Sequence, residues 1–385
     1  MLQAAQAISW SRREFLRAAA GTAAGIPLFG LASPPTPPAP RDRKAVVVTF
    51  GGGTRDDETF APGGQENIPH LLKELLPSAT FFTQVVNRGI LGHYVANASI
   101  ATGVYETINN FASLPPDHPT VFEYFRKDLK RSASDAWVIA PSNGFSRIGE
   151  SAHGSYGAGH GAGVILPKRL LAASLAGNTA DFEHLLRDNY ESPLLTPGFM
   201  PSAQGQQWNE FQLRQLSETL KLSVDDFVAH ARGVSSPDEL SVYIARRLME
   251  GVAPSLLWIT LHDIDIAHTG TYSLYIDGIR RCDRLCAEIW KAIESKPAYS
   301  GKTTLFILPD FGRDSDNDPG GNGFQHHRTG DPLSRTTWML VMGPGVRENI
   351  TVDRPVESID LVPTLGLILG FSPRFTQGRP LTEVT

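Results

Sequence analysis

The stretch Ala45-Val-Val-Val-Thr-Phe-Gly51 decides the fold, and it runs directly into Gly52 and Gly53. A continuous apolar run that is rich in β-branched residues is typical of a strand in the middle of a parallel sheet, where helices cover both faces. Four similar runs follow later in the chain, at residues 136–140, 256–261, 303–308 and 338–342. These runs predict the strands of a mainly parallel sheet.

Helical patterns lie between the predicted strands. The clearest are at residues 67–76, 272–294 and 360–369, and in the second of them apolar residues recur at helical spacing. The alternation of strands and helices predicts an α/β fold with a mainly parallel central sheet. Residues 168–252 differ, because they hold several helical segments and no convincing strand. We interpret them as a helical insertion that either caps the functional site or simply packs on the sheet.

The composition is that of an ordinary globular protein. The 385 residues include 35 Lys and Arg against 40 Asp and Glu, which gives a formal charge of −5, and 41% are hydrophobic. These values argue against a disordered or fibrous chain, and the lack of a basic excess argues against binding to nucleic acid through bulk electrostatics. Two cysteines, Cys282 and Cys286, are too few for a disulfide-dense scaffold or a cysteine-rich zinc module.

The beginning of the chain has the pattern of an export signal followed by a linker. An arginine pair at residues 12–13 precedes Glu-Phe-Leu and an Ala- and Gly-rich apolar run. This pattern is typical of a twin-arginine signal, so we expect residues 1–32 to be a signal peptide and 33–43 a proline-rich linker. Residues 44–385 then form one domain, exported already folded to the periplasm or the extracellular space. No later stretch is long and apolar enough to cross a membrane, so only an uncleaved signal would anchor the protein.

Polar side chains follow three of the predicted strands, at the carboxyl ends where open α/β sheets bind their ligands. Mixed carboxylate and imidazole side chains suit Zn²⁺, Mn²⁺ or Fe. The candidate metal ligands are Asp263, Asp265, His268, Asp310, His326 and His327. Because adjacent histidines usually point apart, we expect only one ligand from the last two. The Asp-rich run at 314–321 is either a Ca²⁺-binding loop or, as is common for such runs, a solvated loop.

Several motifs resemble those of the alkaline phosphatase and sulfatase superfamily. The most specific is Val-Glu-Ser-Ile-Asp-Leu-Val-Pro-Thr-Leu-Gly-Leu-Ile-Leu-Gly at residues 356–370. Other matching parts are residues 67–72, 101–105, 263–270, 276–283 and 308–312. The resemblance covers most of the chain after the signal, except the insertion. It implies a three-layer α/β/α sandwich and a hydrolase, mutase or transferase that acts on phosphate or sulfate esters, with two metals flanking a nucleophile.

The resemblance also assigns residues to the two metals. It implies that Asp263 and His268 hold one metal together with a histidine of the pair at 326–327. Asp263 fits the usual spacing to His268 better than Asp265 does. Asp310 would contribute to the second metal.

The chain departs from the family pattern at that second metal. Gly51 and Gly52 stand where a metal-binding Asp usually ends the first strand, and Phe311 stands where the family has a histidine. The sulfatase signature Cys-x-Pro-Ser-Arg is absent, which argues against a formylglycine sulfatase. A branch of twin-arginine-exported proteins without an assigned function shows a similar glycine pair and a Phe-Gly-Arg, and the chain is most similar to that branch.

Three residues are candidates for catalysis. The nucleophile position of the family falls on His93, which is a phosphoryl-accepting nucleophile, a general acid or, more simply, a buried structural histidine. Thr54 is a rival nucleophile beside the glycines, whose backbone N–H groups could cradle an anion. Arg55 is either a bidentate partner for an ester anion or part of a surface salt bridge.

Two functions are consistent with these patterns. We predict an exported metal-dependent hydrolase of phosphate or sulfate esters, which uses Zn, Mn or Fe and acts on a small anionic ester. The alternative is a catalytically degenerate relative that uses the same cleft to bind an anionic ligand or a partner protein. The Asp and His candidates and the export signal favour the hydrolase, whereas the missing second-metal ligands favour the degenerate relative. The sequence makes no prediction of the oligomeric state.

Overall fold

A central sheet of eight strands organises the computed structural model, which describes residues 42–112, 114–141, 143–156, 159–175, 179–186, 218–317 and 321–384. The strands are β1 (Lys44–Thr49), β2 (Thr80–Val86), β3 (Ala136–Ile139), β4 (Gly163–Ile165), β5 (Leu256–Thr260), β6 (Thr303–Leu308), β7 (Thr336–Met342) and β8 (Ile350–Glu357). The expected signal peptide at 1–32 and most of the expected linker lie outside the described residues, as does the part of the insertion at 187–217.

The strands lie in the order β4-β3-β5-β1-β6-β7-β2-β8. Neighbouring strands are parallel except at β7, which is antiparallel to both β6 and β2. β1 is a central strand, with Ala45 opposite Leu256 of β5 and Lys44 opposite Thr303 of β6. The mainly parallel sheet and its five predicted strands are therefore confirmed. The sequence patterns do not predict β2, β4 or β8.

Helices cover both faces of the sheet. They are α1 (His93–Thr102), α2 (Val121–Glu123), α3 (Pro167–Ser174), α4 (Glu183–Leu186), α5 (Val224–Ala231), α6 (Pro237–Gly251), α7 (Tyr272–Ser295), α8 (Pro332–Arg335) and α9 (Leu361–Leu369), with short 3₁₀ and π-helical turns between them. The side chains of successive β1 residues pack in hydrophobic cores on opposite faces of the sheet, because side chains alternate between the two faces along a strand. Val46 packs in the core that holds α6 and α7, and Val47 in the core that holds α1 and α9. The predicted three-layer α/β/α sandwich is thus confirmed.

Two of the three predicted helices form as expected, and the third is irregular. Residues 272–294 and 360–369 correspond to α7 and α9. Residues 67–76 instead form a 3₁₀ turn that ends at Asn67 and a π-helical turn at Leu71–Leu75. Pro69 lies between the two turns and cannot donate a backbone hydrogen bond, which prevents one continuous helix.

The described residues of the 168–252 stretch are helical, and its longest helix lies against the sheet. α6 buries Leu240, Ile244 and Leu248 in the same core as β1 and α7. This helix therefore contributes to the core of the domain. Across the described part of the chain, no helix has both the length and the apolar character that crossing a membrane requires.

The glycines at the end of β1 allow three strand ends to approach closely. A Cβ atom on Gly51 would lie 1.5 Å from the carbonyl oxygen of Leu261, directly after β5. Gly52 and Gly53 have φ values of +106° and +74°, which L residues with side chains rarely adopt. The position at which the resemblance to the superfamily implies a metal-binding Asp therefore has no room for any side chain.

This packing predicts a large cost for Gly51→Ala. We expect the free energy of unfolding to fall by about 3 kcal/mol or more, because the added methyl group meets backbone that cannot rotate away. The matched control is Gly63→Ala, where a Cβ atom meets nothing within 4 Å. Urea denaturation of both variants would measure the difference, and similar stabilities would show that the end of β1 can open to accept a side chain.

Candidate metal centre

Four side chains converge at the carboxyl edge of the sheet. Asp265 and His268 lie in the 3₁₀ segment Asp263–Thr269 that follows β5, His93 is the first residue of α1, and His327 lies in the loop after β6. One candidate ligand atom from each of the four lies within 4.8 Å of every other. We call these residues the His/Asp cluster.

The spacing of these atoms matches a shared cation. The Nε2 atom of His268 lies 2.9 Å from Nε2 of His327 and 3.1 Å from Oδ1 of Asp265. Nε2 of His93 lies 3.0 Å from the same Asp265 oxygen. Ligands about 2.0–2.1 Å from a tetrahedral ion are about 3.3 Å from one another. The cluster therefore has the donor types and separations of a site for one divalent ion.

His327 is held in the form that a metal ligand needs. Its Nδ1 atom lies 2.9 Å from the carbonyl oxygen of Leu91, which can only accept, so Nδ1 carries the proton and donates it. Burial, with the positive charges of His93 and Arg313, lowers the pKa of His327 to about 2. The ring is therefore neutral, and the lone pair of Nε2 faces the cluster.

His93 lies between two carboxylates. Its Nδ1 atom is 2.7 Å from Oδ2 of Asp310. Asp310 also accepts hydrogen bonds from Nδ2 of Asn97, at 3.2 Å, and from the backbone N–H of Phe311, at 3.1 Å. Burial alone would lower the pKa of His93, but the charges of Asp265 and Asp310 outweigh it and raise the pKa to about 10.

A buried arginine compensates the charge of Asp265. Arg313 is fully buried, and its guanidinium donates to Oδ1 of Asp265 at 2.6 Å. It also donates to the carbonyl oxygens of Gly53 and Phe324, at 3.1 and 3.0 Å. Burial would raise the pKa of Asp265, but the charge of His93 and the nearby imidazoles of His262 and His268 hold it well below the usual value. Asp265 is therefore ionised.

A carboxylate from α6 holds the segment that carries Asp265 and His268. The fully buried Asp238 accepts hydrogen bonds from the backbone N–H groups of His262 and Asp263, each at 2.8 Å. These groups begin the 3₁₀ segment and would otherwise lack a partner within it. The insertion thus contributes a contact that positions the cluster, and the sequence pattern shows Asp238 only as part of a helix start.

The overall structure is similar to solved structures of one superfamily. A protein of the alkaline phosphatase superfamily from Vibrio parahaemolyticus matches with a TM-score of 0.50 and 14% identity, over 90% of this chain and 72% of that chain. The chain has the fold of the alkaline phosphatase superfamily. The phosphonate monoester hydrolase SpPMH from Silicibacter pomeroyi matches with a TM-score of 0.53 and 14% identity, over 88% and 75% of the two chains. Alkaline phosphatase PafA matches with a TM-score of 0.51 and 12% identity, over 90% and 99%.

No protein-family model and no curated protein matches the sequence. At 12–14% identity the likeness to the superfamily structures is one of fold. The chemistry of this chain depends on the residues that it carries at the carboxyl edge of the sheet.

Of the two aspartates after β5, only Asp265 reaches the cluster. Asp263, which the resemblance to the superfamily favours as the ligand, forms an ion pair with Arg281 at 2.9 Å. The segment that holds both is a 3₁₀ helix, with three residues per turn, so residues three apart share a face. Asp265 and His268 are three apart and point together, whereas Asp263 lies on another face.

The other sequence candidates lie beside the cluster or away from it. Asp310 contacts the cluster through His93 and is not one of its four members. His326 is exposed, and only its neighbour His327 joins the cluster. Thr54 is buried, and its hydroxyl has no hydrogen-bond partner among the described residues.

Arg55 and the Asp-rich run are engaged in contacts within the protein. The buried Arg55 guanidinium pairs with the buried Glu58 and, at 2.6 Å, with Asp316, so its ion pair with Glu58 lies inside the protein and not at the surface. The first residue of the Asp-rich run, Asp314, is fully buried and accepts from Arg328 and Ser334. The carboxylate of Asp314 therefore serves as an internal acceptor.

Proposed function

We propose that this protein is an exported metal-dependent hydrolase of phosphate or sulfate esters, with one divalent ion held by Asp265, His268 and His327. The observation that carries the proposal is that Nε2 of His268 lies 2.9 Å from Nε2 of His327 and 3.1 Å from Oδ1 of Asp265, a spacing that fits a shared ion. The fold, shared with an alkaline phosphatase and a phosphonate monoester hydrolase, supports an ester substrate. The arginine pair near the start of the chain supports export.

The residues of the centre suit this chemistry. Imidazole and carboxylate ligands favour Zn, Mn or Fe, and an ion bound there supplies Lewis acidity to the ester oxygens and to an attacking water. The His268 side chain is 38% exposed while Asp265 is 2% exposed, so the centre opens toward solvent at His268. A small anionic ester would enter on that side, and Arg313 would keep the charge of Asp265 partly balanced throughout.

The lack of ligands for a second metal favours the alternative, which is a degenerate relative that binds an anionic ligand or a partner protein. No carboxylate fits at Gly51, Phe311 replaces a histidine, and Asp310 already accepts from three protein donors. A second metal therefore lacks its usual ligands. We nevertheless favour a single-metal hydrolase, because the ligand atoms of Asp265, His268 and His327 converge on one position.

Metal analysis combined with an ester screen would test the proposal. We expect protein purified without chelators to contain about one equivalent of Zn, Mn or Fe, as a single set of ligands predicts. The screen would cover aryl phosphates, phosphonate monoesters and aryl sulfates. Turnover of at least one class should be lost on dialysis against a chelator and return when the metal is restored. A folded, metal-free protein without turnover would contradict the hydrolase and favour the binding protein.

A further inference from the structure

We infer that His93 is a fourth ligand of the divalent ion, oriented by Asp310, and that it does not serve as a covalent nucleophile. The inference rests on the proposed function and deepens it. It concerns the residue at which the superfamily resemblance places the nucleophile.

His93 and His327 are anchored in the same way. Each ring binds an oxygen acceptor through Nδ1, at 2.7 Å from Asp310 and at 2.9 Å from the Leu91 carbonyl. Each then directs Nε2 toward the cluster. A ligand histidine whose other nitrogen donates to a carboxylate or a backbone carbonyl is the usual second-shell arrangement of metal sites.

The contact between His93 and Asp265 is short but is not aligned as a hydrogen bond. The two atoms concerned, Nε2 and Oδ1, are 3.0 Å apart, yet the His93 nitrogen makes no directional hydrogen bond to any described residue. A buried nitrogen at this distance from an oxygen, without hydrogen-bond alignment, is what two ligands of one ion present. A cation at the centre of the cluster would displace the Nε2 proton of His93, which would then bind the ion through Nε2 while Nδ1 donates to Asp310.

Three aromatic side chains enclose the His93 ring. Its ring centroid lies 4.6 Å from those of both Phe311 and His262 and 4.9 Å from that of His327, and the residue is 8% exposed. A nucleophile needs free space in line with its lone pair for the incoming phosphoryl or sulfuryl group, whereas Nε2 of His93 faces Oδ1 of Asp265 at 3.0 Å. The packed ring suits the ligand.

Asp310 then acts as a positioning residue. Oδ2 accepts from His93 and Asn97, and Oδ1 accepts from the backbone N–H of Phe311. With these donors in place the carboxylate fixes the His93 tautomer and ring orientation.

Cobalt binding would test this assignment without relying on turnover. Co²⁺ would be titrated into the chelator-treated protein, with affinity from a competing chelator and ligand geometry from the visible absorption spectrum. We expect His93→Gln to change the spectrum and to weaken binding at least about 100-fold, which exceeds the effect typical of an outer-shell partner. Asp310→Asn should weaken binding about 10- to 100-fold. The control His326→Ala removes the exposed neighbouring imidazole and should change neither quantity.

The outcomes separate this inference from the proposed function. If folded His93→Gln binds Co²⁺ with wild-type affinity and spectrum, His93 is not a ligand and the inference fails while the proposed function stands. A phosphorylated or sulfated His93, trapped by quenching the wild-type protein during turnover and detected by mass spectrometry, would overturn it as well. If the wild-type protein binds no ion, both fail. Circular dichroism of each variant checks the fold, and Asp310→Asn supplies an independent test if His93→Gln does not fold.

Discussion

His268→Ala is expected to reduce the bound metal from one equivalent to a trace and to lower kcat/KM for the best ester at least about 10³-fold. The factor corresponds to about 4 kcal/mol of transition-state stabilisation, which is the order that a bound cation supplies. His268 is the most exposed member of the His/Asp cluster, so its removal leaves no buried cavity. Its Nε2 atom nevertheless contacts both Asp265 and His327, so the substitution removes the imidazole that lies between these two side chains.

Metal content by mass spectrometry and steady-state kinetics on the same preparation would check this expectation. His70→Ala is a suitable control, because His70 is also partly exposed and pairs with Glu74. Full activity in His268→Ala would place the active site elsewhere. Loss of activity with metal retained would mean that His268 contacts the substrate and does not hold the ion.

Arg313→Met is expected to destabilise the metal-free protein by about 3–5 kcal/mol, the range for removing one partner of a buried ion pair. The substitution leaves the 2% exposed Asp265 carboxylate without its 2.6 Å guanidinium partner. It also removes the donors to the carbonyl oxygens of Gly53 and Phe324. Metal should restore more stability to the variant than to the wild type, because Asp265 then interacts with the ion alone.

Urea denaturation with and without metal would measure both effects. The control Arg88→Met breaks the exposed pair with Glu357 and should cost about 0–1 kcal/mol. Arg313→Lys should recover little of the loss, since one ammonium cannot reach all three acceptors of the guanidinium fork. Equal stabilities of Arg313→Met and the wild type without metal would show that Asp265 does not depend on this charge.

The sequence predicts the strands that are buried on both faces and misses those with other patterns. β1, β5 and β6 are largely apolar runs, whereas β8 buries only Val352 and Val356 and contains Pro355. β4 has only three residues, and polar Thr and Gln interrupt β2. The sequence also does not predict the antiparallel direction of β7, because an apolar run has the same pattern in a parallel and in an antiparallel strand.

The site was predictable as a set of candidates but not as a geometry. The choice between Asp263 and Asp265 depends on the 3₁₀ turn that brings Asp265 and His268 onto one face, and spacing in the sequence does not reveal that turn. Asp238 and Arg313 act through partners that are distant in the sequence, so no local pattern marks their roles. Such partnerships appear only once the tertiary structure brings the segments together.

The central place of β1 determines when this domain can fold. Its two neighbours, β5 and β6, end at Thr260 and Leu308, so β1 has no partner until the chain has been synthesised as far as β5. Pairings between such distant segments slow folding and leave apolar strands open to aggregation while they wait. A ribosome would therefore release β1 long before its partners, and protection of the nascent chain would be part of making this protein.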